Sequence, residues 1–247
     1  METYTISKEF IWNGQVTKPV AGIMRMFGLT TDKMAQRAVR HNCQLDIDNG
    51  NIVFFTGPSG AGKSVLLREL EKAVPESDRI NLTQIELPQK KTVIDCIDGD
   101  LITALRLLSV AGLSDCFCIL NQPANLSDGQ KYRFRLAMAL SAKKKFVFAD
   151  EFCSNLDRIT AAAISYNIHK FAKKTGTIFI LASSHEDILL DLAPDVLVVK
   201  ELSGPTQVIY RESPRSAWGC LHLGTPDSVT AVARGSIHDS QCTKHEK

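Results

Sequence analysis

The chain has 247 residues, 44% of them hydrophobic and 23% charged, with a formal net charge of +2. That length suits one large domain, or a core domain with an appendage, and the apolar content can bury a sizeable core. The near-balanced charge excludes the basic surplus of a protein that coats nucleic acid or anionic membrane.

Seven scattered cysteines (Cys43, Cys96, Cys116, Cys118, Cys153, Cys220 and Cys242) include no C-x-x-C pair and read as reduced thiols in an intracellular protein. The first ten residues carry Glu2 and Glu9 and no apolar run, so they do not read as a signal peptide. Apolar runs such as 178–182 fall far short of the ~20 residues a membrane span needs. A cytoplasmic location is expected, and any work at a membrane would need a membrane-spanning partner chain.

Residues 1–20 are weakly patterned and read as an N-terminal extension, followed by an apolar stretch from Ala21 to Met26 that ends at Phe27 and Gly28. Residues 44–48 alternate like a strand, and Asn49-Gly50 is a hairpin signal ahead of the apolar run 52–55. An antiparallel β element, rather than a βα unit, is therefore expected before that run. Next comes Gly57-Pro58-Ser59-Gly60-Ala61-Gly62-Lys63-Ser64, followed by a helical pattern that opens at Val65 and stops at Pro75. Strand, glycine-rich loop and helix with the spacing G-x-x-x-x-G-K-S make a P-loop. Its backbone N–H groups form a nest for phosphate at the positive end of the helix dipole. In that motif Lys63 reaches the outer phosphates and the Ser64 hydroxyl sits on Mg²⁺, so a nucleoside triphosphate is the expected ligand.

Residues 80–84 read as a second strand, and the apolar spacing from Val93 to Cys118 predicts a small helical section, broken at Gly99 and Gly112. Ser127-Asp128-Gly129-Gln130 has capping-box spacing at the head of another helix, which leaves N–H groups open to an anion. Residues 145–151 form a buried strand that ends in Asp150 and Glu151. Ligands sit beyond the carboxyl ends of such strands. Asp150 is placed to hold Mg²⁺ through water, and Glu151 to polarise the water that attacks the γ-phosphate. Asp157 caps a helix from Arg158 to about Lys174, closed by Gly176, and residues 177–182 form a strand leading to His185. Residues 195–199 and 207–210 read as the last strands, around Gly204-Pro205. The tail 213–247 lacks periodicity and is expected to be disordered; its Cys220, His222, His238, Cys242 and His245 could be drawn as a metal site, the lesser reading.

Over roughly residues 21–210 the assembled motifs resemble an ATP-binding-cassette (ABC) ATPase. Residues 57–64 look like its Walker A and residues 126–130 like its signature motif, written LSDGQ here. Residues 146–151 look like Walker B with the catalytic glutamate, 154–157 like the D-loop, and His185 like the switch histidine. The resemblance implies an α/β P-loop NTPase with an ABC-type nucleotide-binding domain: a RecA-like parallel core, an antiparallel β element and a short helical subdomain at about 92–142, within a domain at 21–212.

The resemblance also implies ATP and Mg²⁺ as ligands and a head-to-tail homodimer. Each nucleotide, held by residues 57–65 (Val65 included) of one copy, would be covered by Ser127, Gly129 and Gln130 of the other. Lys63, Glu151 and His185 would be catalytic, and Ser64, Asp150 and Gln84 metal-associated, with Gln89 the alternative for Gln84. Phe27 would stack on adenine, with Phe10, Trp12 and Tyr4 as alternatives. Asp128 departs from the usual glycine; its side chain is expected to point away from phosphate, and slow turnover would follow if it does not. Residues 149–161 and 184–196 look like a soluble ABC branch often fused to acetyltransferase domains. A soluble, non-transport ATPase driving a separate acetyltransferase-type partner is thus placed ahead of a transporter subunit that docks on a membrane-domain chain.

Overall fold

The structure, a computed structural model, describes residues 1–36 and 39–211. It opens with β1 (Glu2–Phe10), paired antiparallel with β2 (Val39–Ile47) along its whole length, Glu2 opposite Ile47 and Phe10 opposite Val39. The connection carries α1 (Lys18–Met26), with Pro19 in its first turn and no buried residue, and α2 (Thr31–Gln36). Residues 2–10 are thus part of the domain and not an extension. Their signal is faint because of β1 only Ile6 is fully buried.

β2 passes through Asn49-Gly50 into β3 (Ile52–Thr56), but no hairpin forms. All five residues of β3 are buried, and its partners are parallel strands on both sides, so the turn carries the chain from one sheet into another. The P-loop leads into α3 (Lys63–Ala73), which ends before Pro75. Then follow β4 (Arg79–Asn81) and a helical section with α4 (Leu101–Val110), α5 (Cys116–Ile119) and α6 (Asp128–Ser141). The chain continues through β5 (Phe146–Ala149), α7 (Arg158–Thr175), β6 (Ile178–Ala182), α8 (Leu189–Leu192), β7 (Val196–Val199) and β8 (Gln207–Tyr210). The two last strands of the sequence reading are both present, and they pair antiparallel, Val196 opposite Tyr210.

The main sheet has the order β4-β5-β6-β3-β7-β8, with the first five strands parallel. Alternate residues of its strands feed two cores. Phe54, Val147, Phe179 and Leu197 pack with Phe134 and Leu136 of α6 and Ile164 and Ile168 of α7. Val53, Phe55, Phe148 and Ile180 pack with Leu66, Leu67 and Leu70 of α3, and beyond them with Ile6, Leu45 and Ile47. α3 is therefore held between two sheets, which fixes the loop at its head. The tail residues proposed as a metal site lie outside the described residues, and so do Cys220 and Cys242.

Candidate functional site

The carboxyl ends of β5, β6 and β3, three neighbours in the sheet, open on one cavity of about 450 Å³. Ser59, Gly60, Gly62, Lys63, Ser64 and Val65 line one side of it, and Asp150 and Glu151 face them from the end of β5. Residues far apart in sequence meet here because parallel strands all end on the same edge. Gly57, Pro58 and Ala61 shape the loop without lining the cavity. Gly57 has φ +131°, and a Cβ there would run into the Lys200 carbonyl oxygen, so only glycine lets β3 leave the sheet at that point.

Lys63 Nζ donates to the carbonyls of Gly57 (2.6 Å) and Pro58 (3.0 Å). Burial lowers its pKa from the ordinary value, while the charges of Asp150 and Glu151 act in the opposite direction. Ser64 Oγ donates to Asp150 Oδ1 at 2.9 Å, which brings a hydroxyl and a carboxylate together beside Glu151. Such hard oxygen donors suit Mg²⁺. Ser154 also lines the cavity, and its buried Oγ has no hydrogen-bond partner.

Two of the expected residues stand elsewhere. Gln84 follows β4 in a 3₁₀ turn, and its side chain donates to Glu71 Oε1 at 3.4 Å, so the structure does not bring it to Ser64 and Asp150. Gln89 lines a separate cavity with Glu86, Lys131 and Arg135. Phe27 caps α1 and is 72% exposed, with no place at the P-loop. Phe10 is nearer: its ring meets His41 edge-on at 5.8 Å, and the His41 ring lies against Gly62, where it occupies the space a Cβ would need. The insertion that carries α1 and α2 separates Phe10 from the P-loop in sequence and so hides the relation. Tyr4 packs on Phe146 in the core.

His41 was not singled out by the sequence. It is 7% exposed with an unpartnered Nδ1, and burial, then the nearby Lys200 charge, lowers its pKa. Ser183 and Ser184 line the cavity, whereas His185, the next residue, is exposed and donates its N–H to Ser183 Oγ at 3.1 Å.

Ser127, Gly129 and Gln130 do not line the cavity of their own chain. Ser127 Oγ accepts from the Gln130 N–H, and Gln130 Oε1 from the Ser127 N–H, the expected capping box. Asp128 is exposed in the first turn of α6.

Comparison with known proteins matches this geometry to a family. The ABC transporter model matches residues 40–154. An aliphatic sulfonates import ATP-binding protein, SsuB of Yersinia pestis, is 31% identical over 192 residues, 68% of this chain and 70% of its own. The chain belongs to the ABC transporter ATPase family. ATP and Mg²⁺ are the ligands of ABC ATPases, and ATP hydrolysis is their activity. A sulfate/thiosulfate import ATP-binding protein, CysA 2 of Agrobacterium fabrum, is 27% identical over 239 residues, 81% of this chain and 68% of its own. The dimeric MJ0796 ABC transporter cassette shares the fold, with a TM-score of 0.56 at 20% identity over 72% of this chain and 94% of that one. These sequence relatives are import ATP-binding proteins, so the two expected roles change order and the transporter subunit comes ahead of the soluble ATPase.

Proposed function

We propose that the chain is the ATP-hydrolysing subunit of a membrane transporter and works as a head-to-tail pair. The observation that carries the ATPase part is the convergence of Lys63, Ser64, Asp150 and Glu151 on one cavity at the ends of β3 and β5. The backbone of residues 57–65 cradles the phosphates, and Lys63 exchanges its carbonyl partners for phosphate oxygens. Ser64 and Asp150 hold Mg²⁺, which when bound neutralises charge on those oxygens and orients them. Glu151 accepts a proton from the attacking water, and His185 closes over the site from the end of β6. Phe10 supports the adenine ring. The capped head of α6, with Ser127, Gly129 and Gln130, covers the nucleotide of the second copy. The dimeric form of the MJ0796 cassette supports this arrangement.

The transport part is supported by the import relatives and by the surface of the helical section. Leu101 and Ile102 on α4, Phe117 on α5, and Leu120 just after it are all more than half exposed. Large exposed apolar side chains at that density suit a contact with another protein. No helix among the described residues is long and apolar enough to cross a membrane. In this reading the membrane part is a partner chain, with this subunit on its cytoplasmic side. A soluble role with an acetyltransferase-type partner is the second reading, resting on residues 149–161 and 184–196.

The decisive experiment compares Glu151→Gln with the unmodified chain. The variant binds labelled MgATP as tightly as the unmodified chain and releases phosphate on the order of 100-fold more slowly or less. Undiminished phosphate release refutes the role of Glu151.

A further inference from the structure

Glu151 lies on a backbone segment that does not hold itself. Glu151 and Cys153, neither a glycine, adopt left-handed φ values of +53° and +58°. Residues with a Cβ are disfavoured there and persist only where their surroundings over-determine them. Within the segment, Ser154 N–H donates to the Glu151 carbonyl and Leu156 N–H to the Cys153 carbonyl, both at 3.1 Å. Two of its backbone N–H groups tie it to the rest of the fold. Phe152 N–H donates to the Ala182 carbonyl at the end of β6 (2.7 Å), and Cys153 N–H donates to Tyr132 Oη on α6 (3.0 Å).

The Tyr132 tie is a side-chain device. The ring packs against the core, and the hydroxyl also meets the thiol of Cys153. Burial pushes the Cys153 thiol up to about 12 and the Tyr132 phenol upward as well, so both stay protonated at neutral pH. A neutral phenol oxygen can accept from the Cys153 N–H. The same helix is capped by Ser127 and carries Gly129 in its first turn, and Gly129 lies over the segment too: a Cβ there would stand 3.3 Å from Leu156 Cδ2.

We propose that Tyr132 is a positioning residue for hydrolysis: by gripping Cys153 it fixes the left-handed turn that presents Glu151, and it joins that carboxylate to the helix whose head covers the second nucleotide. The inference rests on the role given to Glu151 above. Within one chain, the carboxylate of one composite site and the cap of the other are then parts of a single packed unit. Neither can shift without the other.

Tyr132→Phe in the full chain keeps the ring and removes the hydroxyl. We expect kcat to fall about tenfold with KM for ATP and the affinity for labelled ATP unchanged. Amide exchange at residues 151–155 should rise about tenfold while that of α7 keeps its rate. Wild-type exchange at 151–155 overturns the inference whether or not the unmodified chain turns ATP over. So does a loss of ATP affinity in parallel with kcat, which would report general damage to the site. Failure of the unmodified chain to bind labelled ATP at all overturns instead the function proposed above.

Discussion

Glu186 shows how a single side chain can tie the segment after β6 to the end of β3. It follows His185, and its Oε1 accepts at 3.3 Å from the hydroxyl of Thr56, the last residue of β3 and fully buried. Burial raises the carboxyl pKa above 4.5, and the Thr56 hydrogen bond offsets this in part. A group with a raised folded-state pKa binds more protons folded than unfolded, so its contribution is full below about 4.5 and is lost as pH rises through the folded value. Glu186→Gln keeps an acceptor for Thr56 and has no charge to desolvate. Its melting temperature relative to the unmodified chain should therefore climb between pH 4.5 and pH 7; a flat difference across that range would show that the carboxyl does not titrate differently on folding. Thiol chemistry sorts in the same way. Cys153, pushed up to about 12 by burial, should resist alkylation in the native protein at neutral pH, whereas the exposed Cys116 should react, as peptide mapping can show.

At the scale of elements, the strands that position the chemistry were the most legible part of the chain. β3, β5 and β6 are continuous apolar runs because both of their faces are covered, and the residues that follow them carry the motifs. The β1–β2 ribbon was harder to read. It is covered on one side by α3, so one strand shows a single fully buried residue among polar neighbours, and Asn49-Gly50 looked like a hairpin when it is a crossing between sheets. The insertion with α1 and α2 misdirected attention to Phe27, whose apolar neighbours are exposed, and away from Phe10 and His41. Those two are local only in space. Ile6→Ala tests the place of β1: removing this buried side chain from the contact with Leu45 and Leu66 should cost about 2–5 kcal/mol in denaturant unfolding. An appendage would cost next to nothing.

For the whole molecule, the motif order is enough to recognise the ABC family, but in the head-to-tail pair proposed above half of the site belongs to another copy. The head of α6 stays out of the cavity of its own chain, where Ser127 caps the helix and Gly129 packs over Leu156. The exposed apolar residues of α4 and α5 belong to the same scale, as the place where the proposed membrane-domain partner would dock. A Phe117→Ser, Leu120→Ser double variant should keep its ATP affinity and lose co-fractionation with membranes in the native host. Unchanged membrane association would favour the soluble reading.

The ends of the main sheet restrict how copies can assemble. On one side the sheet finishes with β4, only three residues long. On the other it finishes with the antiparallel β8, whose last residue Tyr210 accepts a hydrogen bond from the Asp46 backbone N–H of β2 at 2.9 Å and so pins that edge to the second sheet. A stub and a tethered strand offer a poor template for a further strand, so the sheet does not invite continuation from one molecule into the next. That leaves the loops at the carboxyl ends of the strands, the face with the P-loop cavity, as the surface for the pair proposed above. In such a pair the nucleotide would be the mortar of the assembly, and the two copies would come apart once that mortar is cleaved.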